Sequence, residues 1–133
     1  MSRNEKLVNI YDLGLDKNEA NYASLSPIQF LRRSASVYPN KAAVIYETQQ
    51  FTYEKLFNRC CSLAAALMEG GVLPGDTVAV MAPNIPPMLE CHYAVPMTGA
   101  VLNTINTRLD SLSIAFILEH SQAKIFIVDQ EYA

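Results

Sequence analysis

The run Thr77-Val78-Ala79-Val80-Met81, held between Pro74-Gly75-Asp76 and Pro83-Asn84, constrains this chain more than any other feature. Its apolar residues are consecutive rather than alternate, and valine's branched Cβ favours extended backbone. A strand that is apolar on both sides needs cover on both faces, the usual situation in a parallel sheet. The downstream sequence keeps the same rhythm. A helix is expected from about Pro86 to Pro96, a second strand over Ala100–Ile105, a helix capped by Asp110 or Ser111 and running through Glu119, and a third strand over Ile125–Val128. Within the second of these helices Leu112, Ala115, Phe116 and Glu119 keep helical spacing. Strand–helix–strand–helix–strand with short connections predicts parallel pairing and right-handed crossovers. The third strand would then lie at an edge near residue 133, where unpaired backbone invites self-association.

The residues ahead of this unit predict a different arrangement. Residues 1–24 show no sustained period and are expected to form a lead-in arm. In Ser26-Pro27-Ile28-Gln29 a serine can cap, proline suits the first helical position, and glutamine can complete a capping box. Ile28, Leu31, Ala35 and Tyr38 then line one face until Pro39. Ala42–Tyr46 and Phe51–Tyr53 are short extended stretches. Glu47-Thr48-Gln49-Gln50 connects them as a hairpin, though no glycine or asparagine is there to take a positive φ. Thr52 opens a long helix whose stripe is Tyr53, Leu56, Phe57, Cys60, Ala64, Leu67 and Met68, ended by Gly70-Gly71. The expected fold class is therefore α/β: residues 25–133 form one partial subdomain in which a helix, a short hairpin and a long helix precede an incomplete parallel sheet.

Several chemistries are disfavoured by what the chain contains. Half of its residues are hydrophobic and its formal net charge is −3, with no basic run longer than Arg32-Arg33, so a nucleic-acid partner is not expected. Cys60, Cys61 and Cys91 lack metal-ligand spacing and read as reduced thiols in a soluble, cytoplasmic protein. No apolar stretch approaches the roughly 20 residues of a membrane span. The five glycines form neither GxGxxG nor GxxxxGK[ST], so a phosphate cradle is not expected within these residues. His92 and His120 stand 28 positions apart, Glu90 and Glu119 lack a partner carboxylate, and Cys60 sits on an apolar helix face. Each is expected to be structural rather than catalytic, and no metal site or catalytic residue is assigned.

The segment Gly99-Ala100-Val101-Leu102-Asn103-Thr104-Ile105-Asn106-Thr107-Arg108-Leu109 leaves two readings open. It is either an asparagine-rich turn feeding a capped helix, with Arg108 solvated, or a ligand loop at the carboxyl end of a strand, where parallel sheets bind ligands.

Taken in order, Phe51-Thr52-Tyr53-Glu54-Lys55-Leu56, Gly75-Asp76-Thr77-Val78-Ala79-Val80, Ala82-Pro83-Asn84 and Gly99–Leu109 resemble the amino-terminal subdomain of the adenylate-forming, AMP-binding superfamily. The likeness extends to its acyl-CoA synthetases. Asn21–Pro27, Phe30-Leu31 and His92-Tyr93-Ala94-Val95-Pro96-Met97 look like the medium-chain and aromatic acyl-CoA ligase branch. Glu47–Gln50 in place of a Gly-Asp-type turn, and the extra Pro87, depart from the pattern. The resemblance implies an acid–thiol ligase that converts a small carboxylic acid to an acyl-adenylate and then an acyl-CoA, using ATP, Mg and coenzyme A. It also implies that the Ser/Thr/Gly-rich phosphate loop and the catalytic lysine lie outside these residues, so that the chain alone is inactive. By the same resemblance Asn106, Thr107 and Arg108 lie near the coenzyme A nucleotide. A peroxisomal location would follow if a longer form carried a carboxyl-terminal import tag. A short non-catalytic binding module derived from the fold is the alternative.

Overall fold

The computed structural model describes residues 13, 14 and 16–133. Most of the expected lead-in arm therefore lies outside the described residues. Helix α1 (Pro27–Val37) starts where Ser26 accepts a hydrogen bond from the Gln29 amide at 3.4 Å, with Pro27 in its first turn. Strands β1 (Ala42–Tyr46) and β2 (Gln49–Thr52) pair antiparallel, with Tyr46 opposite Gln49. The connection is thus two residues, Glu47 and Thr48, rather than the four expected. Glu47 takes φ 51°, a left-handed conformation that costs a non-glycine residue roughly 1–2 kcal/mol.

Helix α2 (Tyr53–Glu69) begins at Thr52, whose hydroxyl accepts from the Lys55 amide at 3.2 Å. Its end is a Schellman motif: Val72 N–H donates to the Leu67 carbonyl and Gly71 N–H to that of Met68, both at 3.0 Å. Gly71 supplies the required positive φ of 87°. Leu56, Cys60, Ala64 and Leu67 form the buried stripe, but Met68 is 60% exposed. It stands about 100° round the helix from Leu67, beyond the margin of the packed face.

Leu73-Pro74-Gly75-Asp76 is a turn with proline at its second position and Gly75 at φ 89°, closed by Asp76 N–H donating to the Leu73 carbonyl. The Asp76 carboxylate accepts from the Leu73 amide at 2.7 Å and from Lys124 at 3.0 Å, which together hold its pKa below the ordinary carboxylate value. This turn leads into β3 (Thr77–Met81), followed by α3 (Pro86–Met97), β4 (Val101–Thr104), α4 (Ser111–His120, capped by Asp110) and β5 (Ala123–Val128). The three strands pair in parallel in the order β4-β3-β5. β3 is central, which explains its continuous apolar run; β4 and β5 are both edges.

Each face of β3 feeds a separate core. On one, Val78 and Val80 meet Leu67 of α2 and Met88, Cys91 and Val95 of α3, joined by Leu102 and Ile125. On the other, Ala79 and Met81 pack with Ile105, Ile114, Ile117 and Leu118. The sheet thus has helices on both faces. Leu112, Ala115 and Phe116 lie on the outer, exposed side of α4, opposite the residues that pack. Spacing alone could not choose between these sides, because α4 is apolar nearly all round. A third core, Leu31, Leu56 and Cys60, ties α1 to α2.

Candidate functional site

From the carboxyl end of β3 the chain turns to α3 on one face of the sheet; from the adjacent β4 it turns to α4 on the other. Two neighbouring strands whose connections leave in opposite directions open a crevice at their carboxyl ends, the usual ligand position in such sheets. A cleft of ≈ 500 Å³ lies there, lined among others by Pro83, Asn84, His92, Thr104, Asn106 and Thr107. The loop after β4 is firmly built. Ile105 N–H donates to the Val80 carbonyl at 2.8 Å, prolonging the ladder. The Asn106 side-chain oxygen then accepts from the Arg108 amide at 3.0 Å, forming an Asx turn. Of the three residues expected at a nucleotide, Asn106 and Thr107 line the cleft, whereas Arg108 is exposed and outside its lining.

Asn84 and His92 were not singled out as site residues, yet both line this cleft. The available signal for Asn84 was its place just after a buried strand; for His92 nothing in the sequence distinguished it. The His92 Nδ1 lies 2.8 Å from the Met88 carbonyl, which only accepts, so Nδ1 carries a proton. A second, mainly apolar groove of ≈ 590 Å³ borders the first, lined by residues including Val44, Ile45, Ile85, Leu89 and Tyr93. Asn84, Met88 and His92 line both.

The amino terminus of α3 opens beside the cleft, but it is poorly suited to phosphate. Pro86 and Pro87 have no N–H, and the amides of Met88 and Leu89 both donate to the Ile85 carbonyl. The residues here therefore do not fit a triphosphate. Among the described residues no group of three or more His, Cys, Asp or Glu side chains can hold a metal ion.

The remaining titratable residues have structural partners. Glu90, buried in α3, is met by Arg59 of α2 through two contacts, Nε–Oε1 at 2.6 Å and Nη2–Oε2 at 3.2 Å. The hydrogen bond that Arg59 donates to Glu90 raises the guanidinium pKa above its ordinary value. Burial pushes the Cys60 thiol up to about 12 and raises that of Cys91, so both stay protonated and pack as small apolar groups. His120 stacks on Phe116 with ring centroids 5.5 Å apart, away from the cleft.

A parallel α/β unit with a crevice at the carboxyl ends of neighbouring strands is the architecture in which open α/β sheets bind ligands. Residues 31–133 match the AMP-binding enzyme family, and the chain belongs to that family. It is 51% identical over 118 residues to a peroxisomal trans-cinnamate:CoA ligase of Petunia hybrida, covering 89% of this chain and 21% of the relative. A peroxisomal butyrate–CoA ligase of Arabidopsis thaliana is 50% identical over 115 residues, covering 86% and 20%. Among solved structures, the inhibitor-bound N-terminal domain of FACL13 from Mycobacterium tuberculosis is 30% identical with a TM-score of 0.77, covering 80% of this chain and 27% of that one. The chain thus spans about a fifth of the length of the curated relatives it matches.

Proposed function

We propose that this chain is the amino-terminal portion of an ATP-dependent acid–thiol ligase, with residues 25–133 forming part of its AMP-binding subdomain. The whole enzyme joins a small carboxylic acid to the thiol of coenzyme A through an acyl-adenylate, as ATP is cleaved to AMP and pyrophosphate with Mg present. One observation carries the reading: identity near one-half, along almost the whole chain, to ligases named for cinnamate and butyrate. Both of these ligases are peroxisomal, which favours that compartment for the whole enzyme over the cytoplasm expected from sequence. Because the residues here do not fit a triphosphate, ATP would be held by other parts of the enzyme, and this chain alone is inactive.

For this chain's own contribution, we infer that the Asn106–Arg108 loop meets the coenzyme A nucleotide. Its support is the Asx turn that fixes the loop and the exposed Arg108 guanidinium, which has no salt bridge among the described residues and suits a phosphate oxygen.

The test is a chimera in which this chain replaces the matching segment of the Petunia ligase. It should retain acid-dependent ATP–pyrophosphate exchange, and the isolated chain should show none. A folded chimera without exchange would overturn the ligase reading, and exchange by the isolated chain would overturn its inactivity. In the chimera, Arg108→Ala should raise KM for coenzyme A about tenfold, the loss of roughly one charge-assisted hydrogen bond, and leave exchange unchanged. An unaltered KM would remove Arg108 from the site.

A further inference from the structure

We propose that the outward face of α1 docks on an anionic lipid surface. The helix is held to the body of the molecule through Leu31, which is buried in a cluster with Leu56 and Cys60 of α2. On the side turned to solvent, Phe30, Arg33 and Val37 follow at three- and four-residue spacing and so share one line along the helix. Phe30 is 57% and Val37 55% exposed, and Leu25, just before the cap, is 82% exposed. Arg32 and Arg33 are exposed as well, with no ion pair among the described residues. Large apolar groups and arginines therefore stand together on a surface that the packing of α1 does not use.

Charge selects the partner. All thirteen Asp and Glu residues of the chain fall outside residues 20–46, a stretch that carries Arg32, Arg33 and Lys41. In a chain of net charge −3, this segment is purely basic. A hollow of ≈ 400 Å³ is lined by Gln29, Arg32, Arg33, Ser36 and Val37, all from α1, so no carboxylate competes there for a phosphate. The combination matches a bilayer boundary. Arginines meet the headgroup phosphates while adjoining apolar side chains enter the edge of the acyl region. A helical peptide would need a groove between elements, and this face belongs to a single helix. A nucleic acid would need more positive charge than three side chains supply. The surface rests on α1 alone and not on the ligase reading, so a chimera without exchange would leave it standing.

The test is flotation of the 133-residue chain with vesicles of phosphatidylcholine alone and of phosphatidylcholine mixed with phosphatidylserine. Binding should require phosphatidylserine and should fall as salt rises from about 0.1 to 1 M, over which the screening length shrinks from about 10 to 3 Å. Arg32→Gln combined with Arg33→Gln should weaken it about thirtyfold, the effect of removing two charges near an anionic surface. Phe30→Ser should weaken it about fivefold, for the loss of one apolar side chain that is only partly inserted. Phe116→Ser, on α4, should leave it unchanged, which separates this face from the other exposed apolar helix. All four positions are exposed, so the urea midpoint should hold in every variant. The proposal is overturned by equal binding to phosphatidylcholine alone, by no binding to either vesicle, or by binding that the paired arginine substitutions leave unchanged. It is overturned equally if Phe116→Ser weakens binding more than Phe30→Ser does. Displacement from the vesicles by soluble glycerophosphoserine would also overturn it, by making the hollow a small-anion site instead.

Discussion

The two faces of the sheet are built to different degrees of completion. Under α2 and α3, Val78, Val80, Cys91 and Val95 are buried in a core that also contains the Schellman contact between Leu67 and Val72. On the opposite face α4 packs through Ile114, Ile117 and Leu118, while its far side leaves Leu112 81% and Phe116 66% exposed. Register places Phe126 beside Ala79 on this face, and it too is partly exposed. A helix apolar all round is stable in water only when a second layer covers it. The α2–α3 face supplies its own cover; the outer side of α4 is left uncovered among the described residues.

The largest effect should follow from opening the finished face. Leu67→Ala removes a side chain that packs with both Val72 and the β3 valines, and should destabilise the chain by about 2–5 kcal/mol in urea unfolding. A loss below about 1 kcal/mol would mean that this face is no better packed than the other.

Thiol labelling sharpens the contrast across α2 and α3. Cys60 and Cys91 lie inside, protonated and out of reach, whereas their neighbour Cys61 is exposed. Ellman's reagent should therefore label one of the three thiols of the native chain quickly, and all three after unfolding. In Leu67→Ala the two slow thiols should react faster, about tenfold for each ~1.4 kcal/mol of stability lost, since labelling follows the open population. Three fast thiols in the native protein would contradict a closed α2–α3 layer.

Legibility from sequence divided along the same line. The finished face could be read because its signals are local: Thr52 as the cap of α2, Gly71 as its left-handed end, and the unbroken apolar β3. On α4 the spacing of Leu112, Ala115, Phe116 and Glu119 was real but lay on the outer side, because in a helix rich in apolar residues periodicity no longer marks the inside. The hairpin was shorter than expected since Glu47 accepts a positive φ that residue type argued against. At the cleft, the place of Asn106 and Thr107 after a strand left both a structural turn and a ligand loop open. His92 could not, because its position depends on α3 packing between two concavities, which no local pattern encodes.

The smallest stability effect should come from the unfinished face. Phe116 is two-thirds exposed and stacks on the ring of His120, and serine has a similar helix propensity. Phe116→Ser should therefore shift stability by no more than about 0.5 kcal/mol, the ordinary range for a surface position. Its effect on association should be larger. By shrinking an exposed apolar patch it should lower the self-association of the chain seen in sedimentation velocity, leaving the β4 and β5 edges as the remaining sticky surfaces. A loss of 2 kcal/mol or more would show that Phe116 is packed in the isolated chain. Unchanged association would assign the self-contact to the strand edges instead, and the two faces would then differ in exposure but not in what they attract.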